Sequence, residues 1–129
     1  MGNIALIDDS KDALELFEFV LKGEHQIITF TDPNDFLAQF RSGKFDLVLL
    51  DLVMPGMDGF DVFRMLRQQD HDVPIVAVTA RACPIEREKA LKAGFCDYFV
   101  KPIVEIEAFR DAVHGHVGRC ANPPYQESA

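Results

Sequence analysis

Short apolar runs alternate along this chain with longer segments in which apolar residues recur every three or four positions. Continuous runs are typical of strands covered on both faces, and the longer spacing is typical of helices with one buried side. Their alternation predicts an α/β domain with a parallel sheet and crossover helices. The predicted strands cover residues 4–7, 26–30, 47–50, 75–78 and 98–100.

Five helices are predicted between and after these strands, and local signals mark their ends. Ser10 offers an N-cap for the first helix, and Asp32-Pro33 supplies a cap and a proline for the start of the second. The buried stripe of that second helix is expected to include Phe40. Gly94 is expected to stop the fourth helix. The run at 47–50 is the most apolar and predicts a central strand. The run at 26–30 alternates more and is typical of an outermost strand, which has a neighbour on one side only.

Composition narrows the class of protein further. The 129 residues predict one domain, 1–117, followed by a flexible C-terminal tail, 118–129, that has no periodic pattern. A net charge of −8 argues against a nucleic-acid surface. The chain starts without a basic region or a long apolar stretch, so neither secretion nor membrane insertion is expected. Three cysteines without C-x-x-C spacing predict reduced thiols and a cytoplasmic location.

Four of the predicted strands end in side chains that can carry chemistry. The carboxyl ends of parallel strands lie at the same edge of a sheet, which is where ligands of open α/β sheets bind. One edge is therefore expected to carry three carboxylates, one hydroxyl and one ammonium group. These endings are Asp8-Asp9 after the first strand, Asp51 after the third, Thr79 after the fourth and Lys101-Pro102 after the fifth.

Three neighbouring carboxylates repel one another, by roughly 4 kcal/mol for a pair about 4 Å apart at an effective dielectric constant of 20. A divalent cation resolves this conflict, and hard oxygen ligands with room for phosphate suit Mg²⁺, with Mn²⁺ as the alternative. Lys101 supplies a point charge and Thr79 a hydroxyl donor for an anion. The group predicts a phosphoryl site with Asp51 as the nucleophile, forming an acyl phosphate.

These residues resemble the receiver domain of bacterial two-component response regulators, chemotaxis regulators among them. The resemblance extends over about residues 3–117. It implies a flavodoxin-like, doubly wound sheet of five parallel strands in the order 2-1-3-4-5, flanked by five helices. The matching motifs are Asp8-Asp9, Asp51 with Met54-Pro55-Gly56-Met57-Asp58-Gly59, Thr79-Ala80 and Lys101-Pro102.

The resemblance also implies a phosphorylation-controlled switch, and not an enzyme with a separate substrate. Asp51 would accept a phosphoryl group from a sensor histidine kinase or a histidine phosphotransfer protein. Lys101, in a cis peptide bond with Pro102, would contact the phosphoryl oxygens, and Thr79 would close on them. Mg²⁺ would be held by Asp8, Asp9, Asp51 and the backbone carbonyl of Val53.

The output implied by the resemblance is a change of protein surface. Tyr98 matches an aromatic switch residue that turns inward after phosphorylation. The face formed by helix 4, strand 5 and helix 5 would then control a downstream protein target, with no direct contact to nucleic acid.

Two alternatives stay open. The chain is either a free-standing receiver or one excised from a larger regulator or a hybrid histidine kinase. A phosphatase resembling the haloacid dehalogenases also uses an aspartyl nucleophile after a strand. Those enzymes place a second Asp two residues later, where this chain has Val53, so the phosphatase is disfavoured.

The histidines do not predict a metal site. His114 and His116 are two residues apart on the last helix and point in different directions, so both are expected on a solvated face. His25 and His71 fall in predicted turns.

Overall fold

A computed structural model describes residues 2–119 as five parallel strands and five helices. The strands form one sheet in the order β2-β1-β3-β4-β5, which confirms the predicted doubly wound α/β fold and its strand order. The strands are β1 (Asn3–Ile7), β2 (Gln26–Phe30), β3 (Leu47–Leu50), β4 (Ile75–Thr79) and β5 (Asp97–Val100). The helices are α1 (Lys11–Leu21), α2 (Pro33–Gln39), α3 (Gly59–Gln69), α4 (Pro84–Ala93) and α5 (Ile106–His116).

The central strand, β3, is buried along its whole length, as its continuous apolar run predicts. Leu50 at its end pairs with Ile7 of β1 on one side and with Ala77 of β4 on the other. Because the strands are parallel, the residues that follow β1, β3, β4 and β5 lie along one edge of the sheet.

Two apolar clusters cover the two faces of the sheet. One cluster includes Phe36, Leu66 and Ala90, which belong to α2, α3 and α4. The other includes Phe17 and Phe109, which belong to α1 and α5. The sheet is therefore packed between helices on both faces, which fixes the positions of its strands.

Local capping signals operate as the sequence predicts. The hydroxyl of Ser10 accepts a hydrogen bond from the Ala13 N–H, and the Asp32 carboxylate accepts one from the Asn34 N–H. The second helix, however, is shorter than its apolar stripe suggests. Phe40 is its C-cap in an extended conformation, because there its ring packs against Phe36 in the core.

Two expectations from the sequence concern the C-terminal tail and the cysteines. Of the predicted tail, 118–129, all but residues 118 and 119 lie outside the described part of the chain, as does Cys120. The prediction of reduced thiols is wrong for Cys96, which is disulfide-bonded, while Cys83 is free. A disulfide depends on the spacing of two cysteines across the fold, which an odd count without close spacing does not reveal.

Within residues 2–119, none of the helices has the length and apolar character needed to cross a membrane.

Candidate functional site

Backbone hydrogen bonds fix the positions of the two buried acids at the carboxyl edge of the sheet. The Asp8 N–H donates to the Phe30 carbonyl at 3.1 Å, and the Asp51 N–H donates to the Ile7 carbonyl at 3.0 Å. Both strand ladders therefore continue one residue past the strand ends. Carboxylate oxygens of Asp8, Asp9 and Asp51 lie within 4.8 Å of one another. The structure thus brings together the three acids that the sequence predicts to converge.

Lys101 reaches this cluster from the far side of the sheet edge. Its Nζ lies 2.7 Å from Oδ2 of Asp8 and 3.5 Å from Oδ2 of Asp51. The backbone holds the lysine in place, because its N–H donates to the Thr79 carbonyl at 2.8 Å. The peptide bond between Lys101 and Pro102 is cis, as the resemblance implies.

The two buried carboxylates are held by backbone donors on their other oxygens. Oδ1 of Asp8 accepts from the Ser10 N–H at 2.9 Å, and Oδ1 of Asp51 accepts from the Val53 N–H at 3.1 Å. Each acid therefore turns its second oxygen, Oδ2, toward Lys101. Asp9 is exposed and lies at the mouth of the cluster.

Burial and charge shift the proton affinities of this cluster. Burial raises the pKa of Asp51, although the Val53 N–H and the Lys101 charge oppose the rise. For Lys101, burial acts to lower the pKa, but the hydrogen bond to Asp8 and the charge of Asp51 outweigh it and raise the pKa. Lys101 therefore stays cationic at neutral pH. The loss of water around Asp51 makes the ionised form of its carboxyl less favourable than in solvent.

We expect Asp51→Asn to stabilise the fold at neutral pH. The pKa of Asp51 in the folded state lies above its ordinary value of 3.8, so ionisation of this carboxyl lowers the free energy of unfolding. This loss of stability is absent below the pKa of the unfolded state and complete above the pKa of the folded state. The gain in the free energy of unfolding should thus be larger at pH 7 than near pH 4, as measured by urea denaturation. The exposed Glu15→Gln is the control and should show no such trend. A gain of equal size at both pH values would contradict this reasoning.

The donor set fits a hard divalent cation. Three carboxylates and one ammonium leave two negative charges at the cluster. Carboxylate oxygens are the ligands that Mg²⁺ prefers, and the exposed position of Asp9 leaves room for water and phosphate oxygens.

Thr79 and Tyr98 lie on the α4 side of the cluster. Thr79 is the last residue of β4, is fully buried, and its Oγ1 lies 3.4 Å from the Arg81 N–H that donates to it. The Tyr98 hydroxyl donates to the Arg81 carbonyl at 2.8 Å and lies 3.3 Å from Oε1 of Glu86. Burial and the charge of Glu86 raise the pKa of Tyr98 to about 12, so the phenol keeps its proton. Its ring is already buried in this structure.

The opposite wall of the cluster is formed by the start of α3. The Gly59 N–H donates to the Leu52 carbonyl at 3.0 Å. A Cβ at position 59 would lie 2.6 Å from the Asp51 carbonyl oxygen and 2.7 Å from Leu52 Cα. These are backbone atoms that cannot rotate away, so the last glycine of the 54–59 motif is required by its close approach to the backbone of Asp51 and Leu52.

The predicted solvated face is confirmed for His114, which is exposed, and is wrong for His116. His116 is buried and lies 3.1 Å from the Asp97 carboxylate, because the end of α5 packs against the start of β5. His25 is also buried, and its Nε2 lies 3.3 Å from Nδ1 of His114. The helical spacing correctly separates His114 from His116. It gives no information about a contact between residues that are 89 positions apart.

Comparisons with known proteins agree with this geometry. The model of the response regulator receiver domain matches residues 4–114. The cyclic di-GMP phosphodiesterase response regulator RpfG of Xanthomonas campestris pv. campestris is 39% identical over 106 residues, covering 78% of this chain and 28% of that protein. The DNA-binding response regulator MtrA of Mycobacterium tuberculosis is 40% identical over 100 residues, covering 77% of this chain and 43% of that protein. The chain therefore spans less than half the length of these relatives.

Solved structures show the same likeness. The BeF3-activated receiver domain of DrrB, a Thermotoga maritima protein, has a TM-score of 0.80 at 27% identity, covering 88% of this chain and 95% of that one. The non-phosphorylated HemR receiver domain of Leptospira biflexa has a TM-score of 0.81 at 25% identity, covering 88% and 92%. From the match over residues 4–114, the fold and the edge cluster, the chain belongs to the response regulator receiver domain family.

Proposed function

We propose that this chain is a phosphorylation-controlled switch whose phosphoacceptor is Asp51. The observation that carries the proposal is the contact of one ammonium, Lys101 Nζ, with Oδ2 of both Asp8 and Asp51, beside the exposed Asp9. Membership of the receiver family supports a signalling role for this cluster. The phosphoryl donor would be a phosphohistidine on a sensor histidine kinase or a histidine phosphotransfer protein.

The chain's own residues supply the positions for this transfer. A carboxylate oxygen of Asp51 attacks phosphorus, the P–N bond of the phosphohistidine breaks, and its electron pair stays on the imidazole nitrogen. Lys101 balances the charge of the phosphoryl oxygens, and Thr79 donates its hydroxyl to one of them. The Val53 N–H, which bonds Oδ1 in this structure, fixes the orientation of the Asp51 carboxylate.

We propose Mg²⁺ as the cofactor, with Mn²⁺ as a substitute. Asp8, Asp9, Asp51 and the backbone carbonyl of Val53 would hold it, in agreement with the two excess negative charges of the cluster. When bound, the cation neutralises charge on the phosphoryl oxygens.

The proposed output surface is the face formed by α4, β5 and α5, with Thr79 and Tyr98 as switch residues. The Tyr98 hydroxyl connects β5 to the Arg81 carbonyl in the segment that follows Thr79. Ile85 on α4 and Val104 in the loop between β5 and α5 are each 80% exposed, which favours a protein target with an apolar surface.

The proposed unit is residues 1–117, acting in the cytoplasm; membership of the receiver family supports this location, whereas the disulfide of Cys96 removes the earlier argument from reduced thiols. That the chain comes from a larger regulator or hybrid kinase is supported by its relatives, of which it spans 28% and 43%. Because one of those relatives is named a DNA-binding response regulator, the proposal of no direct nucleic-acid contact is confined to this unit. Val53 at the second-Asp position gives the phosphatase alternative no support.

Intact-mass analysis after incubation with a small phosphodonor such as acetyl phosphate tests this proposal. We expect one phosphoryl adduct that requires Mg²⁺ and is absent from Asp51→Asn. Asp72→Asn, an exposed aspartate outside the cluster, is the matched control and should be phosphorylated normally. An adduct that persists in Asp51→Asn, or a folded wild type that binds neither phosphate nor beryllofluoride, would overturn the assignment.

A further inference from the structure

Three potential metal ligands meet at the opposite edge of the sheet, far from the acid cluster. His25 immediately precedes β2, Glu24 is in the turn between α1 and β2, and His114 is on α5. One ligand atom from each lies within 4.8 Å of those of the other two. Because Asp8 and Asp51 follow their strands whereas His25 precedes its strand, this cluster is separate from the proposed phosphorylation site.

We propose that Glu24, His25 and His114 form a Zn²⁺ site that joins the turn between α1 and β2 to α5. Two imidazoles and one carboxylate, with a fourth position for water, are a donor set that Zn²⁺ accepts. Imidazole donors also distinguish this cluster from the all-oxygen acid cluster, which suits Mg²⁺.

The distances between the donor atoms are close to those of a tetrahedral site. Nitrogen ligands about 2.0–2.1 Å from a tetrahedral Zn²⁺ lie about 3.3–3.4 Å apart. In the structure, Nε2 of His25 and Nδ1 of His114 are 3.3 Å apart. Oε2 of Glu24 lies 3.7 Å from the His114 nitrogen and 4.0 Å from the His25 nitrogen. The carboxylate therefore needs to move by less than 1 Å to complete three ligand positions.

Neighbouring residues orient the Glu24 carboxylate and leave space beside the cluster. Arg110 Nη2 lies 3.8 Å from Oε1 of Glu24, which turns the other oxygen, Oε2, toward the histidines. A cavity of about 360 Å³ adjoins the cluster and is wide enough to admit the metal and its water ligand. Its walls include Glu107 and Asp111, whose charges offset that of Arg110.

Zn²⁺ binding requires one proton rearrangement at His25. In this structure Nδ1 of His25 accepts from the Gly2 N–H at 3.2 Å, so the neutral ring carries its proton on Nε2. To bind the metal through Nε2, the ring must move this proton to Nδ1, which breaks the contact with Gly2. Metal binding is therefore coupled to the backbone at the start of β1.

Isothermal titration with Zn²⁺ in excess Mg²⁺ tests the site, since Mg²⁺ competes with Zn²⁺ for the all-oxygen acid cluster. The full chain carries Cys83→Ser so that its free thiol does not bind Zn²⁺. We expect one Zn²⁺ per chain, with an affinity at least about tenfold lower in His114→Gln and in Glu24→Gln. His71→Gln, which removes another exposed histidine, is the matched control and should bind normally.

Two further measurements distinguish a specific three-ligand Zn²⁺ site from adventitious Zn²⁺ binding. Co²⁺ should give the intense visible bands of a tetrahedral complex with wild type, and these bands should be absent from His114→Gln. The Gly2 and His25 amide resonances should shift on Zn²⁺ addition. Zn²⁺ binding of equal affinity in wild type and His114→Gln, or no binding in excess Mg²⁺, overturns the proposal. Phosphorylation of Asp51 is unaffected in either case.

Discussion

Lys101→Met is expected to slow phosphorylation of Asp51 by a small phosphodonor by about two to three orders of magnitude. The Lys101 ammonium is 2.7 Å from Asp8 and 3.5 Å from Asp51, and it is largely shielded from water. A cation placed where charge develops in the transition state acts strongly because little solvent screens it. Methionine keeps an apolar stem of nearly the same length and removes the ammonium group with its charge and hydrogen-bond donors.

The measurement is the initial rate of adduct formation by intact mass, at saturating Mg²⁺. Lys92→Met is the matched control, because Lys92 also pairs with a carboxylate, Glu88, but on the exposed surface of α4. We expect that control to react at the wild-type rate. Circular dichroism must show that both variants are folded. A folded Lys101→Met that is phosphorylated within about threefold of the wild-type rate would show that the ammonium has no part in the transfer.

Phe95→Ala is expected to lower the free energy of unfolding by about 3–5 kcal/mol. The ring is fully buried, stacks on Phe63 with centroids 4.4 Å apart and meets Phe60 edge-on at 5.7 Å. Removing it leaves a cavity between α3, α4 and the sheet. Because domains of this kind have total stabilities of about 5–15 kcal/mol, the variant is expected to be close to unfolding at 37 °C.

Urea denaturation measures this loss, and Phe19→Ala is the matched control. Phe19 lies on the outer face of α1 and is 67% exposed, so the same truncation creates no cavity. We expect its effect to be within about 0.5 kcal/mol. Equal losses in the two variants would mean that the packing around Phe95 contributes no more than an exposed ring does.

The order of elements and the composition of the acid cluster could be predicted because both follow from local patterns and sheet geometry. In a parallel sheet, residues that follow different strands lie side by side even when they are far apart in the chain. Asp8, Asp51 and Thr79, each at or beside the end of an apolar run, were therefore predicted to converge. The caps at Ser10 and Asp32 depend on neighbours two or three residues away, which the sequence displays directly.

The features that were missed depend on contacts between distant segments. The closest partner of Lys101 is Asp8, 93 residues away, and not Asp51, the proposed phosphoacceptor. The pairing of His25 with His114 and the burial of His116 result from how α5 lies on the sheet, which no local period encodes. The early end of α2 has the same origin, since core packing of Phe40 outweighs the continuation of the helix.

The close fit of Gly59 against the backbone of Asp51 and Leu52 makes the α3 side of the acid cluster stiffer than its α4 side. On the α3 side, backbone meets backbone with no space for even a methyl group. On the α4 side, the segment after Thr79 is fastened by polar side-chain contacts of Arg81, Glu86 and Tyr98. The hydrogen bonds and the ion pair on the α4 side can be replaced by others when the segment moves, without leaving a void. The backbone packing at Gly59 has no alternative arrangement. We therefore expect a charge added at Asp51 to displace the segment after Thr79, on the α4 side, rather than the start of α3.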